Sequence, residues 1–163
     1  MTFFKNIYLM IVGTSISQII IIFCSPVLTR LYPPEAFGVY KIFVSITAIL
    51  TVVANLRYEL AIVLPEKKLE ALTILKLSLV SNTILSFIIF LLVIPSYDMF
   101  GDNTFKDLGS LKYLIPLSVF FGALLQALNF WFNRLKQFKN ISISKVIQSS
   151  CVSLIQILIG WAL

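Results

Sequence analysis

Few residues in this chain can do polar chemistry inside an apolar setting, and two of them stand together. Arg57 and Glu59 lie near the end of the long apolar stretch 37–64, which continues past them through Ala61, Ile62, Val63 and Leu64. A charge within a lipid-embedded helix costs at least about 2.5 kcal/mol at mid-membrane and less toward its ends, so both groups need compensation. Residues two apart are about 200° apart around a helix, so the pair cannot share one face and each needs its own partner. Two readings are open. Both side chains snorkel to the interface, or Arg57 reaches an interior surface and an anionic substrate while Glu59 meets another helix.

Other chemistries are narrowed by composition. The 163 residues include no His, which removes imidazole as base, ligand or switch within the chain. Cys24 and Cys151 fall in apolar segments and read as small buried side chains rather than a disulfide or metal pair. No metal site and no cofactor are expected.

Amides and hydroxyls recur at helical spacing. One segment carries Thr14, Ser17, Gln18 and Ser25; others carry Thr47, Thr51, Asn55 and Glu59, or Ser78, Asn82 and Ser86. The last two carry Ser118, Gly122, Gln126, Asn129 and Asn133, then Lys145, Ser149, Ser153, Gln156 and Gly160. Positions three or four apart share a helix face. Small polar residues can simply join helices, at ~0.6 kcal/mol per interhelical hydrogen bond. The bulkier amides of Gln18, Gln126, Asn129 and Gln156 carry two donors and an acceptor each, and a shared hydrated cavity would satisfy several together. Arg30 and Lys41 are either interfacial anchors or lie at the mouth of such a cavity.

The elements that must position these residues follow from hydropathy. With 59% hydrophobic residues, 12% charged residues and a mean hydropathy of +0.97, water is not the main solvent. Segments 7–31, 37–64, 72–97, 113–132 and 143–163 each reach the roughly 20 apolar residues that cross a bilayer core. The fold class is therefore all-α, a polytopic transmembrane bundle of five spans. The first is too long for a secretory signal and no A-x-A site follows it.

The net charge of +6 is scattered between the spans, which argues for topology over nucleic acid. With the N-terminus in the cytoplasm, nine cations lie inside: Lys5, Arg57, Lys67, Lys68, Lys76, Arg134, Lys136, Lys139 and Lys145. Arg30, Lys41, Lys106 and Lys112 lie outside, and this imbalance favours that orientation. Residues 96–112, with Asp98, Asp102, Asp107, Gly101 and Gly109, read as a solvated exterior loop. Pro33-Pro34 reads as a stiff exterior turn, with Glu35 suited to the start of the second span. The last span runs to Leu163 without a polar tail, so a fragment of a longer protein is expected, or else a short protein ending at the exterior interface.

Three segments resemble a known family. Leu28-Thr29-Arg30-Leu31-Tyr32-Pro33-Pro34-Glu35-Ala36-Phe37-Gly38-Val39-Tyr40 is similar to the first exterior loop of polysaccharide biosynthesis proteins. These are the O-antigen and exopolysaccharide flippases of the multidrug/oligosaccharidyl-lipid/polysaccharide exporter superfamily. Asn55-Leu56-Arg57-Tyr58-Glu59-Leu60-Ala61-Ile62-Val63-Leu64-Pro65 resembles the end of their second helix. Phe132-Asn133-Arg134-Leu135-Lys136-Gln137-Phe138-Lys139, leading into Ser144-Lys145-Val146-Ile147-Gln148-Ser149, resembles their connection from fourth to fifth helix.

The resemblance implies two lobes of about six helices around a cavity that alternates between the two sides. This chain would form most of the first lobe, lacking the sixth helix and the second lobe. The implied partner is a lipid-linked oligosaccharide on undecaprenyl pyrophosphate, moved across the bacterial inner membrane. Under that reading the chain is a transporter and no enzyme. Arg57 is the first candidate for the anionic part of the substrate, with Arg30, Gln18, Gln126 and Asn129 behind it and Glu59 as an ion-pair or coupling residue. Arginine suits phosphate oxygens, and amides suit sugar hydroxyls. Three rivals remain: a drug or metabolite antiporter of the same superfamily, for which Glu59 is the one acid deep in a span; a membrane-embedded glycosyltransferase or polymerase; and a purely structural membrane partner.

Overall fold

The computed structural model describes residues 2–93 and 108–162, and apart from irregular residues at Pro33, Pro65 and Gln137 everything described in it is helix, turn or bend. The acidic connection with Asp98, Asp102 and Asp107, and the end of the third span at 94–97, lie outside the described residues. Helices α1 (Thr2–Leu31), α2 (Pro34–Ala54), α4 (Lys68–Val93), α5 (Ile115–Arg134) and α6 (Phe138–Ala162) are the long elements. A single turn, α3 (Tyr58–Ala61), follows α2, and a 3-10 segment Gly109–Leu114 leads into α5.

Five helices are long and apolar enough to cross a membrane, as the sequence indicates. Their large apolar side chains face outward: Phe23 at 76%, Leu92 at 64% and Trp161 at 79% exposure would be untenable in water but are ordinary against lipid. Helix boundaries run past the apolar stretches where backbone groups still need intrahelical partners. Thus α6 starts at Phe138 rather than 143, and α4 at Lys68 rather than 72. Pro34 opens α2 with Glu35 in its first turn, since a helix start needs no donor from its first residue and favours an acid.

The second span departs from the sequence expectation of one helix over 37–64. Helix α2 stops at Ala54, and Leu56 and Arg57 adopt left-handed backbone with φ of 48° and 61°. Each such non-glycine residue costs about 1–2 kcal/mol, so the break must be held by its surroundings. Arg57 and Glu59 are therefore not 200° apart on one helix. Arg57 precedes α3, and Glu59 lies within it.

The chain divides into two compact units, Met1–Phe37 with Leu135–Leu163, and Gly38–Arg134. In the first unit α1 packs along α6. A Cβ on Gly13 would meet Ser142 Cβ at 2.4 Å, and one on Gly160 would meet the Tyr32 ring at 2.9 Å. Early residues meet early residues and late meet late, so these helices are parallel, as a first and a fifth span must be. Ser142 Oγ donates to the Leu9 carbonyl at 2.8 Å, and Tyr32 Oη donates to the Gln156 carbonyl at 2.8 Å. Cys24 and Cys151 are both free, and Cys151 is exposed instead of buried because it lies off the seam marked by Ser142, Ser149 and Ser153.

In the second unit Ala54, Ile115, Val119 and Ala123 form a fully buried core, flanked by Phe43, Ile46, Leu50, Leu85 and Ile89. Small residues let the backbones approach, which is how helices associate where lipid removes the hydrophobic drive between them. Gly122 sits against Thr51, with Oγ1 at 3.1 Å from where a Cβ would stand.

Candidate substrate site at the broken second span

Around the end of α2, buried side chains bond across to neighbouring helices. Asn55 is fully buried; its Nδ2 donates to the Ala123 carbonyl on α5 at 2.9 Å, and its Oδ1 accepts from Ser78 Oγ on α4 at 3.1 Å. One turn along α4, Asn82 Nδ2 donates to the Phe120 carbonyl at 3.0 Å, and its Oδ1 accepts from Ser86 Oγ at 3.2 Å. The Leu56 and Tyr58 amides donate to the Val53 and Asn55 carbonyls at 2.9 Å, closing the turn.

This turn delivers Glu59 to the interior. Its exposure is 0%, and Gln126 Nε2 on α5 donates to its Oε1 at 3.2 Å. Oε2 has no hydrogen-bond partner among the described residues. A buried carboxyl oxygen left in that state is costly, which marks the position as one that stability alone would not select. Arg57, two residues earlier, is exposed and opens α3 from the left-handed region. The same turn thus separates the two charges, one inward and one outward.

The remaining candidates fall in different places. Gln126 is half-buried and in contact with Glu59, and Asn129 is half-buried one turn further along α5. These two, with Arg57 and Glu59, belong to the unit Gly38–Arg134, whereas Gln18 and Arg30 are exposed on α1 in the other unit. Lys41 is exposed near the start of α2. The stripe Ser78, Asn82 and Ser86 is buried and spent on helix contacts, so for those residues the joining role prevails over a hydrated lining.

Arg134, which the sequence presents as an interior charge and as part of the third family-like segment, is a further residue of this region. Its Nη1 donates to the carbonyls of Ile62 at 3.1 Å, Val63 at 3.5 Å and Pro65, and its Nη2 donates to those of Glu66 at 3.2 Å and Lys67 at 3.3 Å. The available signal was an arginine ending an apolar helix, a position where cations bond terminal carbonyls. Nothing in the residue order says that the carbonyls belong to a segment about seventy residues earlier.

A chain with five membrane-capable helices among its described residues, two of them parallel within one unit and another followed by a turn that buries Glu59, is a multi-pass membrane protein. The sequence profile of a family described as Polysaccharide biosynthesis protein matches residues 3–162, and the chain belongs to that family. No match was found among curated proteins or among solved structures.

Proposed function

We propose that the chain is part of a flippase that moves lipid-linked oligosaccharide repeat units, carried on undecaprenyl pyrophosphate, across the bacterial inner membrane, with its N-terminus in the cytoplasm. It acts as a transporter and performs no covalent chemistry. Its substrate supports O-antigen, capsule or exopolysaccharide assembly, and it works together with a second helical lobe. Membership in the polysaccharide biosynthesis family supports the substrate class.

One observation carries the role of a particular residue. Arg57 is held in a left-handed conformation that a glycine would adopt at no steric cost, and it is exposed. Strain kept at an exposed arginine supports selection for the guanidinium, which binds phosphate oxygens through two parallel N–H donors. Gln126 and Asn129 supply amides for sugar hydroxyls in the same unit. Arg30 and Gln18 are the weaker candidates, because they lie on α1 in the other unit.

The test replaces Arg57 by Gly and by Ala in the full-length protein and measures surface polysaccharide at matched expression. Arg57→Gly is expected to stabilise the protein by about 1 kcal/mol while lowering export strongly. Undiminished export in both variants would remove Arg57 from the substrate path.

A second reading, a drug or metabolite antiporter of the same superfamily, is favoured by the buried Glu59 carboxylate with its unpartnered Oε2. An exchanged cation could satisfy that oxygen. Loss of drug or metabolite efflux with intact surface polysaccharide in Glu59→Gln would select it.

A further inference from the structure

We propose that Arg134 is a positioning residue whose guanidinium pins the 62–67 segment to the end of α5 and thereby fixes the α3 turn that carries Glu59 and follows Arg57. The 62–67 segment needs hydrogen-bond donors that its own backbone does not supply. Ile62 is fully buried, and a buried carbonyl without a donor is rare and costly. After α3 the chain makes only short local backbone bonds, from the Ile62 amide to the Glu59 carbonyl and from the Leu64 amide to the Ala61 carbonyl. Arg134 is within hydrogen-bond reach of the carbonyls of residues 62, 63, 65, 66 and 67; Nη1 shares its two hydrogens among the first three, and the Lys67 carbonyl also accepts from the Ala71 amide.

The geometry is specific to arginine. A planar fork reaches carbonyls on both of its terminal nitrogens, whereas a lysine ammonium is a single compact centre with three donors. The positive charge itself would serve membrane topology equally well as Lys, as it does at Lys67, Lys68 and Lys76. Arg134 also bypasses the common role of a cation at a helix end, bonding carbonyls of its own last turn. Its acceptors belong to the segment that joins α3 to α4.

The consequence reaches the site through a short path. Ile62 is the C-cap of α3, and its amide bonds Glu59. Gln126, which contacts Glu59, lies on the same helix as Arg134, eight residues before it, about 80° around the axis and about 12 Å along it. α5 therefore grips α3 at two points: the side chain of Glu59 and, through Arg134, the backbone that follows. Releasing the second grip should loosen the first.

Hydrogen exchange on the purified full-length protein tests the clamp, with surface polysaccharide at matched expression as the second readout. Only the export readout rests on the flippase reading. In Arg134→Lys and Arg134→Gln, exchange across 59–67 is expected to speed up by at least about tenfold, and export to fall in both. Lys139→Ala, an exposed cation on α6, should change neither. Wild-type exchange in Arg134→Lys would overturn the proposal, because charge alone would then suffice. Faster exchange with undiminished export would overturn the positioning role if Arg57→Ala does lower export. If Arg57→Ala also exports normally, the substrate reading fails, and the exchange result still decides the clamp.

Discussion

The two units of this chain solve the same problem, joining membrane helices, by different means. In the unit formed by α1 and α6, the backbones approach at Gly13 and Gly160, and most hydroxyls bond within their own helix, as Ser17 does to the Gly13 carbonyl at 2.8 Å and Ser149 to the Val146 carbonyl at 3.0 Å. Its bulkier polar groups Gln18 and Arg30 are exposed. In the unit from Gly38 to Arg134, amides cross between elements: Asn55, Asn82 and Gln126 all reach another helix or turn, and a carboxylate is buried among them. Shape suffices to join spans in lipid. Buried amides and a carboxylate go beyond that need, so the second unit is where structure is maintained at a cost to stability.

Substitutions can break this contrast, and thermal or denaturant unfolding of the full-length protein in detergent reads them. The largest effect is expected at Gly13→Val, where the new side chain overlaps Ser142 and should cost about 3 kcal/mol. Asn55→Leu removes two cross-element bonds from the second unit and should cost about 1.2 kcal/mol at membrane magnitudes. Glu59→Gln keeps the shape and the Gln126 contact while removing a buried charge, and should stabilise by about 1 kcal/mol while impairing export. Gln18→Ala, at an exposed site, should stay within about 0.5 kcal/mol. If Gln18→Ala matched Asn55→Leu, polar bonding would matter equally in both units and the contrast would fall. A Glu59→Gln variant that is less stable but fully active would make the carboxylate a structural group.

Legibility in the sequence varied with the range of the interaction. Five spans were readable because hydropathy over about twenty residues is a local sum. The family was readable from three segments whose order persists along the chain. The end of the second helix was not, because Ala54 through Leu64 holds neither Gly nor Pro and its Leu, Ala, Arg and Glu residues are good helix formers, so propensity gives little reason to stop there. Asn55 was visible as a polar residue, but only its bonds to Ser78 and Ala123, 23 and 68 positions away, make a left-handed Leu56 and Arg57 tolerable.

What the residue order determined alone is therefore the solvent of the chain, the five membrane-capable helices found among the described residues, the scarcity of its charges and the family it belongs to. Tertiary structure decided where the second span breaks, which of the two neighbouring charges turns inward, and that Arg134 serves the backbone of a distant segment. The physical reason is that burial in lipid is a property of each stretch, whereas satisfaction of a buried carbonyl or carboxylate depends on which other helix arrives beside it.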